Sequence, residues 1–255
     1  MKLSDYLAEF LAKEGIHHVF EVIGGASVHM VHSIAERKDI TYIAVQHEQA
    51  GAMAADAYAR MTKNMGAAMA TSGPGMTNLI TGIACAYFDS IPIICITGQV
   101  NTNESRNGRM VRQIGFQEIE VVDIVKTLTK FSAKLESAED IRYILEKAFY
   151  IARSGRPGPV LIDIPMNLQR AEISPKKLRR FEKTEIKLDV DTKKTIKGKI
   201  KKAIDLIKKA KRPVVIAGGA IRYADQIKEF NGLIKLFSFP VVATWSGIDV
   251  VWHDH

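Results

Sequence analysis

The sequence is poor in cysteine and has no long apolar run. Two cysteines, Cys85 and Cys95, lie in apolar surroundings. They predict core packing in a reducing compartment, rather than a disulfide framework or a metal site. No apolar run reaches the roughly 20 residues of a membrane-spanning helix. The N-terminal segment MKLSDYLAEFLAKEG alternates charged and apolar residues, which is typical of an amphipathic helix and not of a secretory signal. We therefore expect a cytoplasmic protein that does not contact a membrane.

Several common catalytic signatures are also missing. The sequence contains neither a Walker loop nor a GxGxxG fingerprint, so nucleoside triphosphate chemistry has no support. No GxSxG elbow surrounds Ser72 or Ser90, which argues against a serine hydrolase. His29 and His32 could share a helix face, but without a third ligand nearby they predict a surface pair. We predict no metal site in this chain.

The positive charge of the chain is regional. The net charge is +8, yet residues 170–211 alone carry sixteen Lys and Arg against six Asp and Glu, so the rest of the chain is slightly acidic. This basic stretch lacks the interleaved aromatic residues that are common in nucleic-acid binders, since Phe181 stands alone. It predicts a solvated linker and helix face, and no nucleic-acid partner. Binding to phosphate backbones would instead appear as retention on DNA that falls steeply with salt.

What the sequence does contain is a repeated alternation of strands and helices. Continuously apolar strands between amphipathic helices indicate an α/β fold with a doubly wound, mainly parallel sheet. We predict strands at 18–23, 40–45, 66–71, 91–97, 159–164, 213–217 and 240–244. The predicted domains are 1–165, a linker at 166–195, and an incomplete Rossmann-like α/β domain at 196–255. Ser4 is expected to cap the first helix, and helix 197–211 to turn Ile200, Ala203, Ile204 and Ile207 inward.

Three polar or glycine-rich joints, 22–27, 46–48 and 71–78, follow predicted strands at their carboxyl ends, where parallel sheets bind ligands. Glu48 at one joint is either a ligand-binding carboxylate or a residue that stabilises the first helical turn. Gly24-Gly25-Ala26-Ser27 is either an oxyanion site or an ordinary tight turn. The polar stretch 98–117 is long for a loop in a compact domain, and such loops are commonly functional.

Three stretches together resemble one enzyme family. They are VFEVIGGAS (19–27), QHEQAGAMAADAYAR (46–60) and ATSGPGMTNLITGIACAYFDSIPIICITGQV (70–100). At this spacing they resemble thiamine-diphosphate enzymes of the acetolactate (acetohydroxyacid) synthase-like group. The resemblance covers 1–170 densely, as the pyrimidine-binding domain, and continues more loosely to 255, as the start of the central domain. It implies decarboxylation of pyruvate or a similar 2-keto acid, followed by ligation to an acceptor carbonyl.

The resemblance also assigns roles to individual residues. It implies that Glu48 hydrogen-bonds the aminopyrimidine ring of thiamine diphosphate and promotes the proton loss that activates the cofactor. The other catalytic candidates are Gly25, near the reacting carbonyl, and Gln117. Ala26 and Phe116 are implied to face the substrate. The remaining candidates for binding thiamine diphosphate are Val22, Ile23, Pro74 and Asn78. FAD, which only some members keep, would be held by Arg156, Gly218, Gly219 and Thr244.

The sequence departs from the family pattern near the acceptor side of the pocket. Val22-Ile23 replaces the usual Tyr-Pro, Met166 stands where acetohydroxyacid synthases usually have a lysine, and the loop 101–112 differs. These departures concern the second substrate more than the cofactor. Acetyl transfer from pyruvate to a keto-sugar or other acceptor therefore stays open. A non-catalytic module that dimerises with, or regulates, a full-length partner is a further alternative.

The resemblance also implies parts that this sequence does not contain. Family members bind the diphosphate through Mg²⁺ with a Gly-Asp-Gly…Asn-Asn motif in a third domain, and no such motif occurs here. Their active site forms between two subunits, so we expect a homodimer or homotetramer. We further expect the 255-residue chain to be a fragment that is inactive alone and binds thiamine diphosphate weakly. Micromolar binding by the isolated chain, measured by calorimetry, would contradict this expectation.

Overall fold

Two compact units, Met1–Leu188 and Asp189–His255, make up the chain. The structure is a computed structural model that describes residues 1–187, 193–237 and 239–252. None of the helices in those ranges is both long and apolar enough to cross a bilayer.

A six-stranded, all-parallel sheet forms the centre of the first unit. The spatial order of its strands is β2-β1-β3-β4-β6-β5. The strands are β1 His18–Glu21, β2 Thr41–Ala44, β3 Gly66–Ala70, β4 Ile93–Gln99, β5 Phe131–Lys134 and β6 Val160–Pro165. Strands β3, β4 and β6 are buried along their whole length, as central strands covered on both faces should be. The structure thus confirms the predicted fold class.

Helices cover both faces of this sheet. They are α1 Leu3–Lys13, α2 Val28–Ala35, α3 Glu48–Thr62, α4 Pro74–Asp89, α5 Val121–Val125, α6 Ile141–Arg153 and α7 Met166–Gln169. Side chains of α1, α2 and α6 share one apolar core with alternate strand residues such as Ala67 and Met69. Gly66 points to the opposite face, where α3 approaches so closely that an added Cβ would lie 1.9 Å from the Ala55 carbonyl oxygen. Small residues therefore bring α3 tightly against the sheet.

The order of the strands places a reversal point between β1 and β3. From β1 the chain moves to β2 on one side and then crosses back to β3 on the other. The loops that follow β1 and β3 consequently leave the sheet in opposite directions and open a crevice at its carboxyl edge. Ligands of open α/β sheets bind in such crevices. A ligand is therefore expected at the turns that follow β1, β2 and β3.

The second unit contains the elements α8 Lys193–Lys209, β7 Val215–Ala217, α9 Ala220–Tyr223, α10 Ile227–Ile234 and β8 Val241–Ala243. β7 and β8 pair in parallel, with Val215 opposite Val241. The prediction that Ile200, Ala203, Ile204 and Ile207 face inward is wrong, because all four are exposed. Two strands of three residues each offer too little surface to cover this 17-residue helix.

Three further predictions differ from the structure. Ser4 lies inside α1, whose N-cap is Lys2, and its buried hydroxyl accepts a hydrogen bond from Ser33. Cys85 is exposed on α4, whereas Cys95 is buried in β4 as predicted. The segment 166–187, predicted as part of a linker, packs on the first unit: Leu3 N–H donates to the Ala171 carbonyl, and Phe181 is buried. Residues 188–192 of that linker lie outside the described residues.

Candidate active site

Glu48 is the first residue of α3, immediately beyond the carboxyl end of β2. The Nδ1 atom of the N-cap His47 accepts a hydrogen bond from the Gln49 N–H and so starts the helix. Only 8% of Glu48 is exposed, and its Oε2 accepts a hydrogen bond of 2.9 Å from Asn78 Nδ2. Its Oε1 accepts none from the described residues. Nearby Gly75 leaves room, since a Cβ there would lie 3.4 Å from Oε1. One carboxylate oxygen is thus fixed, while the other is free to meet a ligand.

The turn from β3 into α4 places Asn78 against Glu48. Gly73 adopts φ +60° and ψ −120°, a backbone conformation that is strongly disfavoured for every residue with a Cβ. A Cβ at this position would lie only 2.6 Å from the Cβ of Gln117. Pro74 follows as the first helical residue, a position that suits its fixed φ and its missing N–H. Asn78 then lies one turn into α4, within reach of the carboxylate.

The turn after β1 is held from two sides. The Ala26 N–H donates a hydrogen bond of 3.1 Å to Thr71 Oγ1, and the Ala26 carbonyl accepts one of 2.6 Å from Gln169 Nε2. Gly24 packs on Thr71 with no space for a side chain, because an added Cβ would lie 2.3 Å from the Thr71 Cβ. Gly25, in contrast, is exposed, and no atom of the described residues lies within 4 Å of its missing Cβ. The turn is therefore fixed against the sheet but open on the side of Gly25.

A buried carboxyl group lies beneath this turn. Glu21 ends β1 and is fully buried, and its Oε1 accepts a hydrogen bond of 2.7 Å from the Ser27 hydroxyl. Its Oε2 has no partner among the described residues. Burial raises the pKa of Glu21 to about 8, although the Ser27 hydrogen bond works in the opposite direction. Glu21 is therefore mainly protonated and uncharged at neutral pH.

These turns surround a cavity of about 430 Å³. The residues around it include Gly25, Ala26, Thr71, Phe116, Gln117 and Met166. Four of the predicted site residues, Gly25, Ala26, Phe116 and Gln117, thus meet at one cavity. Gly75 lies between the cavity wall and Glu48, because its missing Cβ would be 2.8 Å from Thr71 Cγ2 and 3.4 Å from Glu48 Oε1. The free carboxylate oxygen and the cavity consequently belong to the same end of the sheet.

Gly98 supports the turn from below, which gives a first prediction. A Cβ at Gly98 would lie 2.0 Å from the Ala26 carbonyl oxygen. Since backbone cannot move aside as a side chain can, we expect Gly98→Ala to lower the free energy of unfolding by about 1–3 kcal/mol. Urea denaturation of the wild type and of Gly98→Ala measures this difference in the free energy of unfolding. Gly25→Ala is the matched control in the same turn and should leave stability nearly unchanged; equal losses in both variants would contradict this account.

Two family models match the chain. The N-terminal TPP binding domain of thiamine pyrophosphate enzymes matches residues 1–126, and the central domain of these enzymes matches residues 200–255. The chain belongs to the thiamine pyrophosphate enzyme family. The match confirms the resemblance seen in the sequence, and it agrees with the all-parallel sheet.

Among the thiamine pyrophosphate enzymes, this chain is similar to curated relatives that are named acetolactate synthases. An acetolactate synthase large subunit of Buchnera aphidicola is 36% identical over 96% of this chain and 42% of its own length. Acetolactate synthase 2, chloroplastic, of Nicotiana tabacum is 36% identical over 97% of this chain and 36% of its own. A probable acetolactate synthase large subunit of Methanocaldococcus jannaschii is 37% identical over 100% of this chain and 42% of its own. The chain thus spans about two fifths of the length of these relatives.

The structure shows where the remaining predicted residues lie. Val22 and Ile23 belong to the turn after β1, and Ile23 is 62% exposed. In the second unit, Gly218 and Gly219 follow β7, and Thr244 Oγ1 lies 3.8 Å from the position of a Gly218 Cβ. The structure thus brings these three FAD candidates together. Arg156 belongs to the first unit and donates a hydrogen bond of 2.6 Å to Ser90 Oγ, next to the amino ends of β4 and β6. Glu48 lies at the opposite edge of that sheet.

Sequence reasoning missed the residues that hold the site together. Thr71 accepts a hydrogen bond from the Ala26 N–H, and Gln169 donates one to the Ala26 carbonyl. Asp163 is buried within β6, where it accepts hydrogen bonds from Thr97 and Gln99; burial raises its pKa to about 6. A polar residue inside an apolar strand, as in VLIDI, was the available signal, because buried carboxyl groups need partners. Gln169 gave no comparable signal.

Proposed function

We propose that this protein binds thiamine diphosphate at the carboxyl edge of its sheet and, as part of the full-length protein, decarboxylates pyruvate or a similar 2-keto acid. The acyl unit would then join an acceptor carbonyl. The observation that carries the proposal is the Glu48 carboxylate, which is largely buried, fixed by Asn78 through one oxygen and free at the other. Family membership and relatives named acetolactate synthase support the same reaction class.

The residues around Glu48 fit a neutral, nitrogen-rich ring. A carboxyl group with one free oxygen can exchange a hydrogen bond, or a shared proton, with a ring nitrogen, and its small exposure keeps water from competing. Asn78 fixes the orientation of the carboxylate, and Gly75 keeps the approach open. When bound, thiamine diphosphate supplies the carbanion chemistry that stabilises the charge left by decarboxylation. Glu48 would hold the proton that moves as the cofactor is activated.

Other parts of the site support substrate binding in the cavity. Gly25 presents exposed backbone to the cavity, with Gln117 on the same wall, and both can face a reacting carbonyl. No cluster of three His, Cys, Asp or Glu side chains able to hold a metal ion occurs in the described part of the chain. In the proposal, Mg²⁺ and the diphosphate belong to the third domain of the family, and the full site forms between two subunits of a homodimer or homotetramer. The proposal also includes FAD binding by Gly218, Gly219 and Thr244.

One observation favours a different acceptor from that of acetolactate synthases. Met166 lines the cavity, at the position where the family resemblance leads us to expect a lysine. An apolar side chain cannot pair with an acceptor carboxylate, so transfer of the acetyl unit to a keto-sugar is the second candidate.

The full-length gene product provides the test. We expect it to consume pyruvate only when thiamine diphosphate and Mg²⁺ are present, and the panel of acceptors should include a second pyruvate, 2-ketobutyrate and several keto-sugars. Product analysis by mass spectrometry then separates the two acceptor classes. If no 2-keto acid is consumed by protein that is saturated with the cofactor, the proposed reaction is wrong and the non-catalytic alternative gains support.

A further inference from the structure

Glu118 joins two distant points of the long loop beside the cavity. Its Oε1 accepts hydrogen bonds from the Ser105 hydroxyl at 2.8 Å and from the Arg106 N–H at 2.6 Å. Its Oε2 accepts one from the Ile114 N–H at 3.0 Å. Only 9% of Glu118 is exposed. One carboxylate therefore closes the part of the loop between residues 105 and 114.

The residues just before Glu118 are those that line the cavity. Gln117 adopts φ +59°, and Gly73 lies so close that a Cβ there would be 2.6 Å from the Gln117 Cβ. Gly115 packs on Val100, with an added Cβ only 2.7 Å from Val100 Cγ1. Phe116 lies between Gly115 and Gln117 in the chain, lines the cavity and is 80% exposed. The conformation of residues 115–117 thus depends on the loop being held at both ends.

The charge of Glu118 suits this role. Burial alone would raise its pKa, but the hydrogen bonds from the Ile114 and Arg106 N–H groups and from the Ser105 hydroxyl outweigh burial and hold the pKa below its ordinary value. The carboxylate therefore stays ionised at neutral pH. Hydrogen bonds to an ionised acceptor are stronger than those between neutral groups. The outer residues of the loop are exposed, Met110 completely so.

We propose that Glu118 is a positioning residue, which fixes loop 101–117 so that Phe116 and Gln117 keep their places at the cavity. This inference rests on the proposed function, since a positioning residue needs a reaction to serve. Glu118 does not line the cavity itself. It acts through the backbone of Arg106 and Ile114 and through its chain neighbour Gln117.

Limited trypsin digestion of the full-length protein tests the first half of the proposal. Arg109 and Arg112 are exposed cleavage sites inside the loop. Glutamine is isosteric with glutamate, but it carries no charge. Its amide NH₂ group is itself a donor, so it cannot accept a hydrogen bond from a backbone N–H. We expect Glu118→Gln to raise cleavage at Arg109 and Arg112 by about tenfold or more, because losing hydrogen bonds to a charged acceptor favours local opening. Mass spectrometry locates the cuts.

Glu146 offers a matched control. Its Oε2 accepts a hydrogen bond of 2.8 Å from the Phe181 N–H, so it also holds a loop through a carboxylate, but on α6. Glu146→Gln should raise cleavage at Arg179 and Arg180 and leave the cuts at Arg109 and Arg112 at the wild-type rate. Unchanged cleavage of the loop in Glu118→Gln would overturn the proposal, as would equal loosening of both loops in both variants.

Turnover tests the second half. We expect Glu118→Gln to lower kcat per folded enzyme by about tenfold or more, while the Kd for thiamine diphosphate stays within about twofold of wild type. A residue that served stability alone would leave kcat per folded enzyme unchanged, and that result would also overturn the proposal. Failure of the wild-type protein to consume any 2-keto acid would count against the proposed function instead, and digestion would still decide whether Glu118 holds the loop.

Discussion

Replacing Glu48 with glutamine in the full-length protein is expected to lower kcat by about 10²–10⁴-fold, the usual contribution of a positioned acid–base group. Glutamine keeps the size of the side chain and can still contact Asn78, but it cannot accept a proton at Oε1. Because the substitution removes proton transfer and leaves the shape of the site intact, the Kd for thiamine diphosphate should change far less than kcat. Steady-state consumption of pyruvate and cofactor titration measure the two quantities.

Two further variants distinguish this role from a general effect of charge. Asn78→Ala removes the hydrogen bond that orients Glu48 and should give an intermediate loss of turnover. Glu36 is an exposed glutamate at the end of α2, and Glu36→Gln should behave as wild type. Full turnover of Glu48→Gln would show that Glu48 only stabilises the first turn of α3.

The second large effect concerns stability as a function of pH. Glu21 has a pKa of about 8 in the folded protein, against an ordinary value of 4.5. Between these two values the folded state holds a proton that the unfolded state has released, so the free energy of unfolding falls as the pH rises through this window. Each pH unit in this window lowers the free energy of unfolding by about 1.4 kcal/mol. At pH 7 the free energy of unfolding is therefore about 3 kcal/mol lower than it is below pH 4.5, and the loss stops growing above pH 8.

The variant Glu21→Gln removes this titration. Its stability should fall much less than that of the wild type between pH 5 and pH 8, and urea denaturation at a series of pH values measures both. Glu36→Gln again serves as the control and should retain the wild-type slope. Parallel pH profiles for the wild type and Glu21→Gln would mean that Glu21 is ionised in the folded protein, through a partner or water that stabilises its charge.

Strands and turns of the first unit could be predicted from the sequence because their signals are local. Apolar runs of four to seven residues identified five of the six strands in the sheet, and Gly or polar clusters marked their ends. β5 was missed because its sequence, FSAK, is short and only partly buried at the edge of the sheet. Its pairing with β6 comes from tertiary structure rather than from its own pattern.

The candidate site was predictable to a similar extent. Glu48 and the cavity residues Gly25, Ala26, Phe116 and Gln117 came from strand ends and from family motifs. The contacts that fix them join residues far apart in the sequence, such as Thr71 with Ala26 and Gln169 with Ala26, and no local pattern encodes them. The prediction that one face of α8 is buried was wrong for a related reason. Periodicity identifies an apolar face of a helix, but it does not show which element covers that face.

Amide hydrogen exchange of the full-length protein, with and without saturating thiamine diphosphate and Mg²⁺, tests the central claim most directly. The claim is that the turns after β1, β2 and β3 form one cofactor site. It predicts that the cofactor slows exchange in residues 24–27, 46–49 and 71–78 together, and that Asn78→Ala weakens the effect in all three. Protection confined to other parts of the protein, with these turns exchanging as in the free protein, would contradict the account.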